Sequence, residues 1–185
     1  MTILIIILCT VAALASPHDI AMSNIEFNHE QTRTITIGST SVEISYHGQS
    51  TSEASEVFNH ISRSIDILPD FLNSGTKTCK TVDLDVYHID YQDINDRSIM
   101  SFMRWESLGV NRITGAYDSI FSPIGRGSMF IARSENSEAS SLRVSHEVAH
   151  YWQDITCLSS GLEDQARRFE KYYIKMLEDR QLVSR

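Results

Sequence analysis

No basic run and no alternation of aromatic with basic residues occurs in the 185-residue chain, where 24 acidic residues oppose 16 Lys and Arg. A nucleic-acid partner calls for a basic stripe to meet its phosphates, so the sequence argues against one. Proline is scarce, with three residues. No repeat or low-complexity segment interrupts the chain, and nothing marks an internal domain boundary. The apolar run 3–15 is shorter than the roughly 20 residues a membrane-spanning helix needs. What remains is an ordinary globular composition, 42% hydrophobic and 22% charged, at a length that suits one core.

The run 3–15 closes on Ala13-Leu14-Ala15 before Ser16. This small-x-small pattern reads as a secretory cleavage site. No Lys or Arg precedes the run, so only the α-amino group supplies positive charge there. The expectation is a signal peptide over 1–15, cleaved near Ala15–Ser16, and one domain over 16–185. Such a protein is secreted or periplasmic, with no stable membrane insertion after cleavage. Loss of Cys9 with that segment leaves Cys79 and Cys157. An oxidising compartment favours pairing them as one disulfide. Two free buried thiols are the alternative.

Residues 32–46 alternate apolar and polar on both sides of Gly38-Ser39-Thr40-Ser41, which predicts a hairpin. Over 52–68, Phe58, Ile61, Ile65 and Leu68 recur at helical spacing. Ser50 and Glu53 suit a capping box at its start, and Pro69 is expected to stop it. Residues 81–91 alternate again, with Val82, Leu84 and Val86 inward. Residues 92–112 read as mostly irregular, with a short helix around Ile99–Trp105. Two further strands, 113–118 and 128–133, flank a Pro123/Gly125/Gly127 turn. Helices follow over Ser140–Ile155, with Ser137 or Ser140 as cap, and over Leu162–Leu182. Strands come early and helices gather late, which predicts an α+β domain with an antiparallel or mixed sheet packed against helices.

The late helix contains His146-Glu147-Val148-Ala149-His150. Residues four apart on a helix differ by about 40° of rotation and about 6 Å of rise, so His146 and His150 share a face. Two imidazoles so placed can hold one metal ion at about 2.0–2.1 Å each. Glu147 borders that face without competing for the ion, a position that suits a general base acting on metal-bound water. Val144, Val148 and Ala149 offer another flank for burial. The same spacing also fits a half-buried helix with two surface histidines.

A catalytic zinc site normally takes three protein ligands. A turn over Thr156–Gly161 would bring the start of the next helix, and Glu163, near the end of the first. Glu163 is therefore the chosen third ligand. Asp164, Glu170 and His88 are the other acidic or imidazole candidates. Ser160-Gly161-Leu162-Glu163 also fits a capping box, which would occupy Glu163 locally. The stripe Leu162, Ala166, Phe169, Tyr173, Met176 and Leu177 reads as core.

HEVAH followed by a helix opening Glu163-Asp164-Gln165-Ala166 resembles the gluzincin type of zinc metallopeptidase over about residues 113–175. The resemblance implies a minimal zincin-like domain. It implies one Zn2+ per chain on His146, His150 and Glu163, with Glu147 as base and a peptide or protein as substrate. It also implies a sheet edge that aligns the substrate, either Gly115-Ala116-Tyr117 or the strand Ser128–Arg133. Many small members place the ligand Glu directly before a Gly, where this chain has Ser160 before Gly161. Tyr117, Tyr151, Tyr172 and Tyr173 are candidates for stabilising the oxyanion. An inactive peptidase-like binding module and a zinc amidase acting on a cell-wall component are the alternative readings.

Overall fold

The computed structural model describes residues 22, 25–94, 114–119, 125–133, 137–158 and 162–183. The segment 1–15, the expected helix around Ile99–Trp105 and the Ser159–Gly161 frame lie outside the described residues. The architecture is α+β, with helices packed on a mixed five-stranded sheet. In chain order the elements are β1 (His29–Ile37), β2 (Thr40–Gly48), α1 (Thr51–Leu72), β3 (Asp83–Ile89) and the single turn α2 (Tyr91–Ile94). Then come β4 (Gly115–Asp118), β5 (Arg126–Ala132), α3 (Ser137–Ile155) and α4 (Leu162–Val183).

The sheet order is β1-β2-β3-β5-β4. β1 and β2 form the expected hairpin, with Ile37 paired to Thr40 and Gly38 at φ 59° in the turn. Glycine adopts that left-handed conformation without a Cβ penalty. β3 lies parallel to β2 and β5, and β4 returns antiparallel to β5 as an edge. From Leu84 to Ile89 every β3 residue is buried, as expected of a central strand covered on both faces. Leu84 and Val86 join Ile44, Tyr46, Met129 and Ile131 beneath α1, α3 and α4. Tyr87 and Ile89 turn the other way, to Met22, Ile94 and Phe130.

α1 begins as expected: Ser50 is its N-cap and accepts from the Glu53 amide. The reciprocal half of the box is absent, because the Glu53 carboxylate accepts from Arg133 Nε and Nη2 instead. Pro69 does not stop the helix. α1 runs on to Leu72 and ends at Asn73, in the left-handed conformation. There the Asn73 and Ser74 amides donate to the Asp70 and Pro69 carbonyls, a Schellman closure. Packing outweighs the lost proline N–H, since Phe71 in that last turn meets Phe169 of α4 edge-on at 5.3 Å.

α3 begins at Ser137, so Ser140 lies inside the helix, buried, and cannot be its cap. Val144, Val148 and Ala149 are buried as expected, together with Tyr151, Trp152 and Ile155. The α4 stripe packs inward at Ala166, Phe169 and Tyr173, whereas Leu162 is exposed. Cys79 and Cys157 form the disulfide, with Cα atoms 6.0 Å apart. Among the described residues no helix is long and apolar enough to cross a membrane.

His88 of β3 is buried, with its Nδ1 3.1 Å from the Tyr46 hydroxyl. Burial, aided by Arg133 and Arg143 and opposed by Glu53, lowers its pKa from 6.5 to about 4. The unfolded chain therefore takes up this proton first as pH falls below 6.5, and folded stability drops until about pH 4. The loss from this residue is on the order of 3 kcal/mol. His88→Gln carries no such proton. Urea midpoints at pH 7.5 and pH 4 should show a smaller acid loss in that variant by about this amount. Equal losses in both proteins would assign the acid sensitivity elsewhere.

Candidate metal centre

α3 and α4 build the site together. His146 and His150 lie one turn apart on α3, and the α3–α4 connection brings the first turn of α4 against them. The ligand atoms of His146, His150 and Glu163 converge, all within 4.8 Å of one another. The two Nε2 atoms are 3.2 Å apart, and Glu163 Oε2 lies 3.2 Å from His150 Nε2 and 3.6 Å from His146 Nε2. Ligands about 2.0–2.2 Å from a tetrahedral zinc stand about 3.3–3.6 Å from each other, so the spacing fits that ion.

The proton positions point the same way. Gln153 Nε2 donates to the Leu162 carbonyl at 2.8 Å, which turns its Oε1 toward His150 Nδ1, 3.0 Å away. Glu170 Oε2 lies 3.0 Å from His146 Nδ1. Each ring thus donates through Nδ1 and keeps an Nε2 lone pair free. Two such lone pairs and a carboxylate oxygen converge, three acceptors with no donor among them, which is what a cation satisfies.

Charge states agree with that chemistry. Burial and the neighbouring His146 lower the His150 pKa, which favours the neutral ring a metal needs. Burial raises the Glu163 carboxyl, but the hydrogen bond from Arg167 and attraction to the neighbouring His146, His150 and Arg167 outweigh it and hold it below the usual range. Arg167 Nε reaches Glu163 Oε1 at 2.7 Å and leaves Oε2 turned to the histidines. Glu163 is exposed, so the cluster is reachable from solvent on that side.

Among the other ligand candidates, Asp164 pairs with Arg168 on the exposed face of α4. Glu170 reaches the site at the second nitrogen of His146 and orients the ring. His88 bonds to Tyr46. Gln153 was not expected from the sequence. Its only signal there is a position three residues beyond His150, on the same helix face.

Glu147 is buried beneath the edge strand. A Cβ built on Gly115 of β4 would stand 2.8 Å from Glu147 Oε1, so any side chain there would push the carboxylate from its present position. Burial, then the charges of Glu163 and Glu170, push the Glu147 carboxyl well above its ordinary range, while the Tyr117 backbone N–H, bonded to it, pulls the other way. Gly115→Ala should displace this carboxylate. The expected result is about five- to tenfold faster hydrogen exchange at the Tyr117 amide, which bonds that carboxylate. Unchanged exchange would show that the close approach is dispensable.

Of the two strands expected as an edge, one is interior to the sheet. β5 is paired on both sides, to β3 and β4, so Ser128–Arg133 offers no free edge. β4 is the edge. The Thr114 carbonyl accepts from the Ala132 amide. By the antiparallel alternation, Gly115 and Tyr117 turn their backbone groups away from β5. The tyrosine hydroxyls are mostly committed to the framework. Tyr117 donates to Asp154 Oδ2 at 2.8 Å and Tyr151 to the Val82 carbonyl at 2.7 Å, and Tyr173 bonds to His60. Tyr172 is exposed and packs on Phe71. No protein-family model, curated protein or solved structure matches this chain.

Proposed function

We propose that the chain is an exported zinc-dependent peptidase with a minimal zincin-like domain. The observation that carries this reading is the convergence of three acceptors, His146 Nε2, His150 Nε2 and Glu163 Oε2, beside a buried carboxylate under the strand that is the sheet edge among the described residues. His146, His150 and Glu163 would hold one Zn2+ and leave one corner for water or substrate. Bound zinc supplies Lewis acidity, which polarises a scissile carbonyl and acidifies water.

The chain's own residues do the rest. Glu147 takes the proton of the attacking water and delivers it to the leaving amine. Its burial supports the first half of that task, because a raised carboxyl is the stronger base. Gly115 and the Tyr117 carbonyl turn outward on β4, where an extended peptide can add as a strand, while the Tyr117 N–H is held by Glu147. Glu170 and Arg167 orient His146 and Glu163. Export rests on the run 3–15 with its Ala13-Leu14-Ala15 end, and the disulfide is consistent with an oxidising compartment.

The test is metal analysis of the purified chain with digestion of an unstructured protein, with and without chelator. About one zinc per chain and chelator-sensitive peptide products are expected. Zinc without cleavage would move the reading to an amidase or a non-catalytic module. No zinc binding would reject it.

A further inference from the structure

The amide of Gln153 touches both halves of the metal centre and belongs to neither ligand set. Gln153 is 2% exposed, in the last part of α3. Its Oε1 lies 3.0 Å from His150 Nδ1. Its Nε2 donates to the Leu162 carbonyl at 2.8 Å and to Gln165 Oε1 at 3.2 Å, both in the first turn of α4. We infer that Gln153 is a positioning residue that holds the His150 ring with its Nε2 free, using the α4 turn that carries Glu163 to fix its own orientation.

The reason lies in the two-sided chemistry of an amide. A glutamine flipped end for end would present NH2 to His150 Nδ1, and that nitrogen would have to accept. The ring proton would then sit on Nε2, where a cation must bind. The Leu162 carbonyl can only accept, so the flip would forfeit that hydrogen bond. The start of α4 thereby selects the metal-binding tautomer of a histidine on α3, and the same contact draws Glu163 toward it. Losing such an outer partner typically costs about 10- to 100-fold in metal affinity.

This inference rests on the zinc reading above, and the experiment separates the two. Zinc affinity of the full chain is measured by competition with a chromogenic chelator, and cobalt(II) absorption reports the ligand geometry. Q153M keeps bulk and removes both polar ends. It should bind zinc about 10- to 100-fold more weakly, with an altered cobalt spectrum. Q153E keeps an acceptor for Nδ1–H and loses the donor to Leu162, so it should recover affinity to within about threefold of wild type. A purely structural role predicts no such rescue, because a buried carboxylate facing a carbonyl is the worse packing change. Zinc binding by Q153M equal to wild type, or Q153E tenfold or more weaker than wild type, overturns the assignment. If Q153M does not fold, the Q153E comparison decides alone. A wild-type chain that takes up no zinc defeats the underlying reading and this inference with it.

Discussion

Glu147→Gln should retain one zinc per chain and lose hydrolysis by about a hundred- to ten-thousandfold. Glutamine is nearly isosteric, and its amide oxygen can still accept from the Tyr117 N–H beneath β4. It has no basic oxygen to take a proton from water and no acid to return one to the amine. His146, His150 and Glu163 are untouched by the change. The folded chain should also respond. Burial and two neighbouring carboxylates raise this carboxyl well above its ordinary range, so its ionisation destabilises the fold above the unfolded-state value near 4.5. The chelated variant should therefore melt higher than chelated wild type at pH 8, and the gap should close as pH falls toward 4.5. Wild-type turnover in the variant would reject Glu147 as the base. Loss of zinc with activity would give it a role in the metal centre instead.

Breaking the Cys79–Cys157 bridge should cost about 4 kcal/mol of stability, because it closes a long loop with a sequence separation of 78. Urea unfolding of the C79S/C157S double variant against wild type measures the loss. The clamp is also local. Cys157 sits in the left-handed conformation at the end of α3, where its amide donates to Asp154 and that of Leu158 to Gln153. The Cys79 and Lys80 amides both donate to the Ile155 carbonyl, and Lys80 Nζ bonds Asp154 at 2.6 Å. These contacts should keep α3 itself in place without the bridge. The connection onward to α4 loses a covalent anchor, so zinc should bind more weakly in the same variant. An unchanged urea midpoint would show that the non-covalent clamp is sufficient.

Local patterns were legible because short-range physics decides them. The hairpin follows from alternation around Gly38, and α1 from the spacing of Phe58, Ile61, Ile65 and Leu68. The placing of His146, Glu147 and His150 on adjoining helix faces follows from 3.6 residues per turn. Glu163 was within reach because the connection between two successive helices is short. Pro69 misled, because the cost of one lost N–H was set against nothing in the sequence, whereas the fold sets it against burial of Phe71. The choice between two candidate substrate strands was open for a similar reason: both look like strands, and only the sheet order shows which one is an edge.

The sequence by itself determined the chemistry on offer: two imidazoles and a carboxylate at fixed helical spacing, an acidic residue opening the next helix, and a cysteine pair. Each follows from covalent neighbours within a few turns of chain. The tertiary structure alone decided what that chemistry meets. The packing of α4 against α3 brings Glu163 to the histidine pair, gives Glu170 and Gln153 their places behind the rings, and leaves Asp164 on the surface. The sheet order puts Gly115 over Glu147. These placements depend on how whole elements dock, which is set by side chains far apart in the chain.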